Sequence, residues 1–188
     1  MSDVVLENFK KETSIEIFLN PAETVKNFGL RGGMQAADFG SGAGHFAIEM
    51  ARSVGVNGKV SAIDIREEVL EVVESQKKMS GLFQIQTIKG NLEVKGGSGL
   101  GEETQDFVLC ANILHHVQKP ENVFGEVNRV LKPGARLVVI DWFEKGIMGP
   151  YKRIAKSLVE RLAEENGFSA LKEIDAGGLH YGIEFKKI

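Results

Sequence analysis

Residues Ala36 to His45 read Ala-Ala-Asp-Phe-Gly-Ser-Gly-Ala-Gly-His, a short apolar run that breaks into three alternate glycines with Asp38 just ahead of them. Glycines permit backbone torsions that a Cβ forbids, and they let the main chain lie directly against a ligand. His45 to Val54 follows with helical spacing of its apolar residues. The loop therefore joins the carboxyl end of a strand to the amino end of a helix, which is where open α/β sheets bind their ligands.

The rest of the chain reads as a sheet built to carry that loop. Asn20-Pro21 is an N-cap followed by proline at the first helical position, with Ala22, Val25 and Phe28 on one face and Gly29 as the stop. Gln35 to Phe39 is the first strand. After the loop, Phe46, Ala47, Met50, Ala51 and Val54 form a stripe closed by Gly55, and Lys59 to Asp64 is a second strand ending on an acid. The next helix begins near Arg66, with Val69, Leu70, Val72, Val73 and Met79 inward until Gly81. A third strand spans Phe83 to Lys89 and ends at Gly90-Asn91.

Lys95-Gly-Gly-Ser-Gly-Leu-Gly-Glu-Glu is not a phosphate loop, because Glu102 and Glu103 stand where Lys-Ser or Lys-Thr is required; its composition predicts a flexible surface connection. Gln105 to Ala111 is a nearly continuous apolar strand followed by a loop, Asn112-Ile-Leu-His-His-Val. Pro120 to Leu131 is a helix stopped by Lys132-Pro-Gly134, Ala135 to Trp142 a fifth strand, and Pro150 to Asn166 a long amphipathic helix. Two last strands, near Ser169 to Ile174 and His180 to Lys187, form a hairpin about Ala176-Gly-Gly. Alternating strands and helices imply right-handed crossovers, so the expected fold is an α/β three-layer sandwich with a seven-stranded, mostly parallel sheet whose last strand is antiparallel.

Composition narrows the function. The 188 residues, 43% hydrophobic, suit one domain spanning 1–188, with residues 1 to 20 as a lead-in that can serve as a lid. A balance of 23 basic and 26 acidic residues gives a net charge of -3 without runs of like charge, so no nucleic-acid partner is expected. The single cysteine, Cys110, lies in an apolar run and excludes an intramolecular disulfide or a multi-thiolate metal site. No segment is apolar for long enough to span a membrane, no signal-peptide pattern opens the chain, and a cytoplasmic location is expected.

The glycine pattern selects the ligand. A dinucleotide site would place glycine where His45 stands, and the loop carries no Lys or Arg for phosphate. Asp38 suits a cationic or amine-bearing group better than a pyrophosphate. Asp64, at the end of the second strand, can accept both hydroxyls of a ribose, and Asn91 closes a third strand. An adenosine joined to an amino acid fits all three positions.

Asp38-Phe-Gly-Ser-Gly-Ala-Gly, Asp64 closing strand two, Gly90-Asn91, Asp106 to Asn112 and Arg129-Val-Leu-Lys-Pro-Gly134, in this order, resemble the class I S-adenosylmethionine-dependent methyltransferases over roughly residues 20 to 187. Leu-His-His-Val and Arg-Val-Leu-Lys-Pro-Gly are similar to the branch containing ubiquinone and menaquinone C-methyltransferases. The resemblance implies the Rossmann-like methyltransferase fold and S-adenosylmethionine as cofactor. By it, Asp38 and the loop Gly40, Ser41, Gly42 and Gly44 hold the methionine moiety, Asp64 the ribose diol, and Ile65 and Leu92 the adenine faces. Asn91 takes the adenine amino group, and Ala111 and Asn112 complete the methionine pocket.

A sulfonium methyl is already activated, so alignment of the acceptor supplies most of what catalysis needs, up to roughly 7 to 11 kcal/mol. His115 and His116 are the acid-base candidates because they follow the fourth strand at the mouth of the site; the alternative is that they cap or fill the pocket wall. His180 reads as an ordinary strand residue, and no metal site is expected. Trp142, Phe143 and Tyr151 are candidates for an acceptor pocket. The expected activity is methyl transfer to a small or lipophilic acceptor. Only Phe143 to Gly149 joins the fifth strand to the next helix, so the acceptor side is open, completed by residues 1 to 20 or by a second subunit in a homodimer. The same shortness motivates the alternative of a cofactor-binding sensor or partner subunit without its own catalysis.

Overall fold

The structure, a computed structural model, describes residues 18–146 and 148–188. The expectation for the lead-in lies, through residue 17, outside them. Among the described residues the chain alternates between α1 (Pro21–Lys26), β1 (Gln35–Phe39), α2 (His45–Val54), β2 (Lys59–Asp64), α3 (Glu67–Ser80), β3 (Ile85–Lys89), β4 (Gln105–Ala111), α4 (Pro120–Val130), β5 (Leu131–Trp142), α5 (Lys156–Glu165), β6 (Phe168–Ile174) and β7 (His180–Lys187). The strands form a seven-stranded sheet in the order β3-β2-β1-β4-β5-β7-β6. β7 runs antiparallel to both β5 and β6, while the other pairings are parallel. β1 and β4 therefore lie side by side at the point where strand order reverses, and their carboxyl ends flank the crevice that such a reversal opens.

Two apolar cores, one on each face, hold the sheet. Phe28, Phe46, Met50, Ala51 and Val54 pack on one face against Val60, Phe107 and Ile140. Phe124, Val127, Val130, Val159 and Leu162 cover the other, against Phe39, Val108, Val139 and Phe185. Strands β1, β2 and β4 are buried almost throughout, as parallel strands covered on both faces must be.

Several local expectations are corrected. On α1, Ala22 is exposed and Thr24 is buried beside Val25 instead. On α3 only Leu70 and Val73 are buried, while Val72 and Met79 face solvent. Phe83 is exposed and β3 begins at Ile85. α4 stops at Val130 and Leu131 already pairs with Gln105; the register then shifts to Phe107 with Arg136, which absorbs Pro133 and Gly134 within β5. The long helix from Pro150 begins only at Lys156. Before it, the Arg153 guanidinium donates to the carbonyls of Phe143, Gly146, Met148 and Pro150, so these carbonyls are held by a side chain instead of a helical turn.

The run Lys95 to Glu103 is tied down and not a free connection. The Gly96 amide and the Ser98 amide and hydroxyl all donate to the Glu126 carboxylate, which Arg129 also grips with two donors. A Cβ on Gly97 would lie 2.0 Å from the Asn91 carbonyl oxygen, so glycine is there because two stretches of backbone touch. Burial pushes the Glu126 carboxyl up, but Arg129, Ser98 and the two amides outweigh it and hold it at about 2.

Candidate functional site

A cavity of about 660 Å³ opens at the carboxyl ends of β1, β2, β4 and β5, within the size range of small-ligand sites. The glycine loop forms one wall. The Gly40 and Ser41 amides both donate to the Ile63 carbonyl, which pins the loop to the end of β2. Gly40 has φ +75°, and a Cβ on it would lie 2.7 Å from the Ile113 side chain, so only glycine keeps the β1 and β4 ends this close.

Asp38 sits at the cavity floor, 2% exposed, with Oδ2 unpartnered among the described residues. Burial raises its carboxyl to about 7; the nearby Ala47 amide works against this and the Asp64 charge adds to it. Asp64 is also buried, but satisfied: Oδ2 accepts from the Gly42 amide and Oδ1 from the Arg66 amide, each at 3.0 Å. Oδ1 also accepts from the Arg66 guanidinium at 3.3 Å; with about four lone-pair sites on a carboxylate, the room for a further donor is at Oδ2. Ile65 follows on the cavity wall, its side chain open to solvent.

From the opposite side come Ala111, Asn112 and Ile113. Asn112 adopts φ +55°, a left-handed conformation that asparagine tolerates better than most residues. Its amide donates to the Ile140 carbonyl at 2.8 Å while its side-chain Oδ1 is left unpartnered. His116 lines the mouth and His115 does not: His115 turns into the core, its Nδ1 2.7 Å from Asp141 Oδ1. Trp142 and His180 complete the far end.

Three of the expected cofactor contacts lie outside the lining. Gly44 caps the start of α2 at φ +83°, where a Cβ would meet Val73 at 2.8 Å, so its glycine serves helix packing. Leu92 is buried in the core, 6% exposed. Asn91 is exposed, and its Oδ1 accepts from the Glu93 amide in a local turn. A larger cleft of about 760 Å³ lies by α4 and the Glu93 to Glu103 segment, away from the glycine loop.

Polar satisfaction marks the site. Among the described residues, buried side-chain atoms without a hydrogen-bond partner occur in Asp38, Ser41, Asn112, Asp141 and His180, and four of these five residues line the one cavity. Each such atom costs about 1 to 3 kcal/mol unless something pairs with it. The unpartnered polar atoms are therefore concentrated around this cavity, with the Asp38 carboxyl at its floor. His180 is the residue that sequence reading missed, because its strand position looks ordinary and its missing partners show only in three dimensions.

Fold and cavity together define a doubly wound α/β protein with a cavity at the strand ends, where proteins of this architecture take their ligands. The chain belongs to the methyltransferase-domain family, whose model matches residues 30–176. It is 29% identical, over 68% of its length, to the demethylmenaquinone methyltransferase of Bacillus cytotoxicus. It is 30% identical, over 70%, to the ubiquinone/menaquinone biosynthesis C-methyltransferase of Haemophilus ducreyi. The chain covers 52% and 49% of these two proteins, about half the length of the curated relatives it matches. Among solved structures, an S-adenosylmethionine-dependent methyltransferase from Aquifex aeolicus aligns over the whole of both chains with a TM-score of 0.83 and 27% identity. The [4+2]-cyclase SpnF shares the fold at a TM-score of 0.73 and 15% identity, so the fold by itself does not fix the reaction.

Proposed function

We propose that the chain is an S-adenosylmethionine-dependent methyltransferase acting on a small or lipophilic acceptor. The observation that carries this reading is the gathering of unpartnered polar atoms around one cavity. Asp38 Oδ2, Ser41 Oγ and Asn112 Oδ1 suit the charged amino-acid end of such a cofactor, and the Asp64 carboxylate suits the ribose diol. Ile65 would cover one face of the adenine. The roles of Asn91, Leu92 and Gly44 in cofactor contact have no support from the cavity lining.

When bound, the cofactor supplies an activated sulfonium methyl. The chain's own residues then have to bind and orient. Asp38 and the loop amides fix one end, Asp64 fixes the other, and Phe46, Ile113 and Trp142 shield the interior from water. Apolar walls beyond Asn112 suit an uncharged organic acceptor, consistent with the quinone-type names of the relatives. Of the two candidate acid-base histidines, His116 has access to the cavity; burial keeps its imidazole below the usual value, with the His115 ring adding to this and Asp141 opposing it. His115, bonded to Asp141, would hold that wall in place. A reducing, cytoplasmic compartment suits the buried free thiol of Cys110.

Calorimetric titration with S-adenosylmethionine tests the proposal. The intact protein should bind it, and Asp64→Ala should bind about 10- to 150-fold more weakly, the equivalent of about 1.5 to 3 kcal/mol of charge-assisted hydrogen bonding. Absence of binding to the intact protein would refute the assignment.

A further inference from the structure

The edge of the sheet has an order: Asp64 ends β2, Asp38 lies on β1, Asn112 follows β4, Trp142 ends β5, and His180 opens β7. Strands lie about 4.8 Å apart, so His180 stands three strands, or roughly 14 Å, along the edge from Asp38. The cofactor reading occupies the β2-β1-β4 part. His180 belongs to what lies beyond.

His180 is 4% exposed, lines the cavity, and has neither ring nitrogen paired among the described residues. It is paired with Trp142 across the β5-β7 ladder, and the two rings lie 4.1 Å apart between centroids. That contact fixes the imidazole and gives the pocket an aromatic wall. The other buried histidine is different, because His115 is already committed to Asp141. A neutral imidazole has one N–H and one bare lone pair. Two such atoms buried without partners are costly, and a ligand in the cavity is what can pair with them.

We propose that His180 recognises the methyl acceptor, taking a hydrogen bond from a hydroxyl on an aromatic ring that lies within the Trp142-lined end of the cavity. This rests on the methyltransferase reading, which makes that end the acceptor side. A carboxylate acceptor is disfavoured by the nearby Asp141, whose Oδ2 is itself unpartnered. An aliphatic chain would leave both His180 nitrogens bare. Burial also lowers the affinity of His180 for a proton, with His115 acting in the same sense and Asp141 against it, so a lone pair is available near neutral pH.

The test compares p-cresol with 4-methylanisole, which has the same ring but no hydroxyl donor. Binding is read by fluorescence of Trp142, the chain's single tryptophan, with and without saturating S-adenosylhomocysteine. The intact protein should prefer p-cresol by about 3- to 10-fold, the range expected of one neutral hydrogen bond. His180→Phe, similar in size but unable to accept, should bind both equally, and His180→Asn, which can accept, should recover part of the preference. In the intact protein, p-cresol should also shift the His180 ring ¹⁵N resonances while 4-methylanisole leaves them in place, a readout that needs no variant. Equal binding of both probes to the intact protein, or a preference that survives in His180→Phe, overturns the proposal. Failure of S-adenosylhomocysteine to bind would strike the cofactor reading instead, and the cofactor-free arm would still decide the role of His180.

Discussion

Replacing Asp38 by asparagine should make the ligand-free protein more stable and its cofactor binding worse, with a pH signature that isolates the carboxyl. Asp38 has an ordinary value of 3.8 when unfolded and about 7 in the folded cavity, raised by burial. Between these values the native state keeps a proton that the unfolded state has released, so stability falls by about 1.4 kcal/mol for each pH unit. A shift of about three units makes the loss roughly 4 kcal/mol between pH 4 and pH 7, with no further change above pH 8. Asparagine is neutral throughout and lacks this component. Urea unfolding followed by Trp142 fluorescence, at intervals from pH 4 to 8.5, gives the difference between the two proteins. That difference should grow by about 4 kcal/mol in favour of Asp38→Asn over the interval and then level off. The asparagine amide's own pairing adds a constant offset, which the slope ignores. The same substitution should weaken S-adenosylmethionine binding about 10- to 150-fold, through loss of a charged hydrogen bond. Parallel stability curves from pH 4 to 7 would refute the reasoning, since they would mean that Asp38 is ionised or paired in the folded state.

Other sites give sharper structural tests. Glu126→Gln should lose about 3 to 5 kcal/mol at pH 7, because Arg129 is left without its buried partner; since the folded carboxyl is held at about 2, the lost stability is the part that the intact protein sheds as pH falls from about 4.5 toward 2, and calorimetry across that range should show it vanish. Gly44→Ala should lower stability by about 2 to 4 kcal/mol in urea melts, from left-handed strain and the 2.8 Å contact with Val73. Cys110, which burial and then the Asp38 and Asp141 charges push far above the usual thiol range, should resist a disulfide reagent in the native protein and react fully in urea.

What sequence could and could not show follows from which interactions are local. β1, β2, β4 and β7 have the bounds read from the sequence: β4 because a strand buried on both faces leaves a nearly continuous apolar run, and β7 because the Ala176-Gly-Gly turn marks where the closing hairpin reverses. Asp38 and Asp64 were legible for the same reason: each is an acid at the end of such a run, and the strand itself delivers it to the crevice. Val72 and Met79 misled because α3 covers the sheet with a narrow stripe, and apolar residues beside a stripe can remain in solvent. The Lys95 to Glu103 run misled because its glycines permit close backbone approach to the Asn91 turn, and its anchor, Glu126, lies on a helix about thirty residues further on.

His180 is the limiting case. A histidine in an alternating strand has no sequence mark that separates it from one satisfied by a neighbour, and His115 shows the satisfied version, bonded across 26 residues to Asp141. The distinction is made by what the fold fails to bring: no donor or acceptor among the described residues reaches either nitrogen of His180, although the chain buries the ring against Trp142. A motif scan registers residues that are present, whereas a binding site is defined equally by partners that are withheld. The glycine loop is legible because its torsional demands are written into glycine itself. The acceptor end depends on an unpaired atom, which no residue type encodes, and so the donor half of the cavity is readable from the chain while the acceptor half has to be read from the packed molecule.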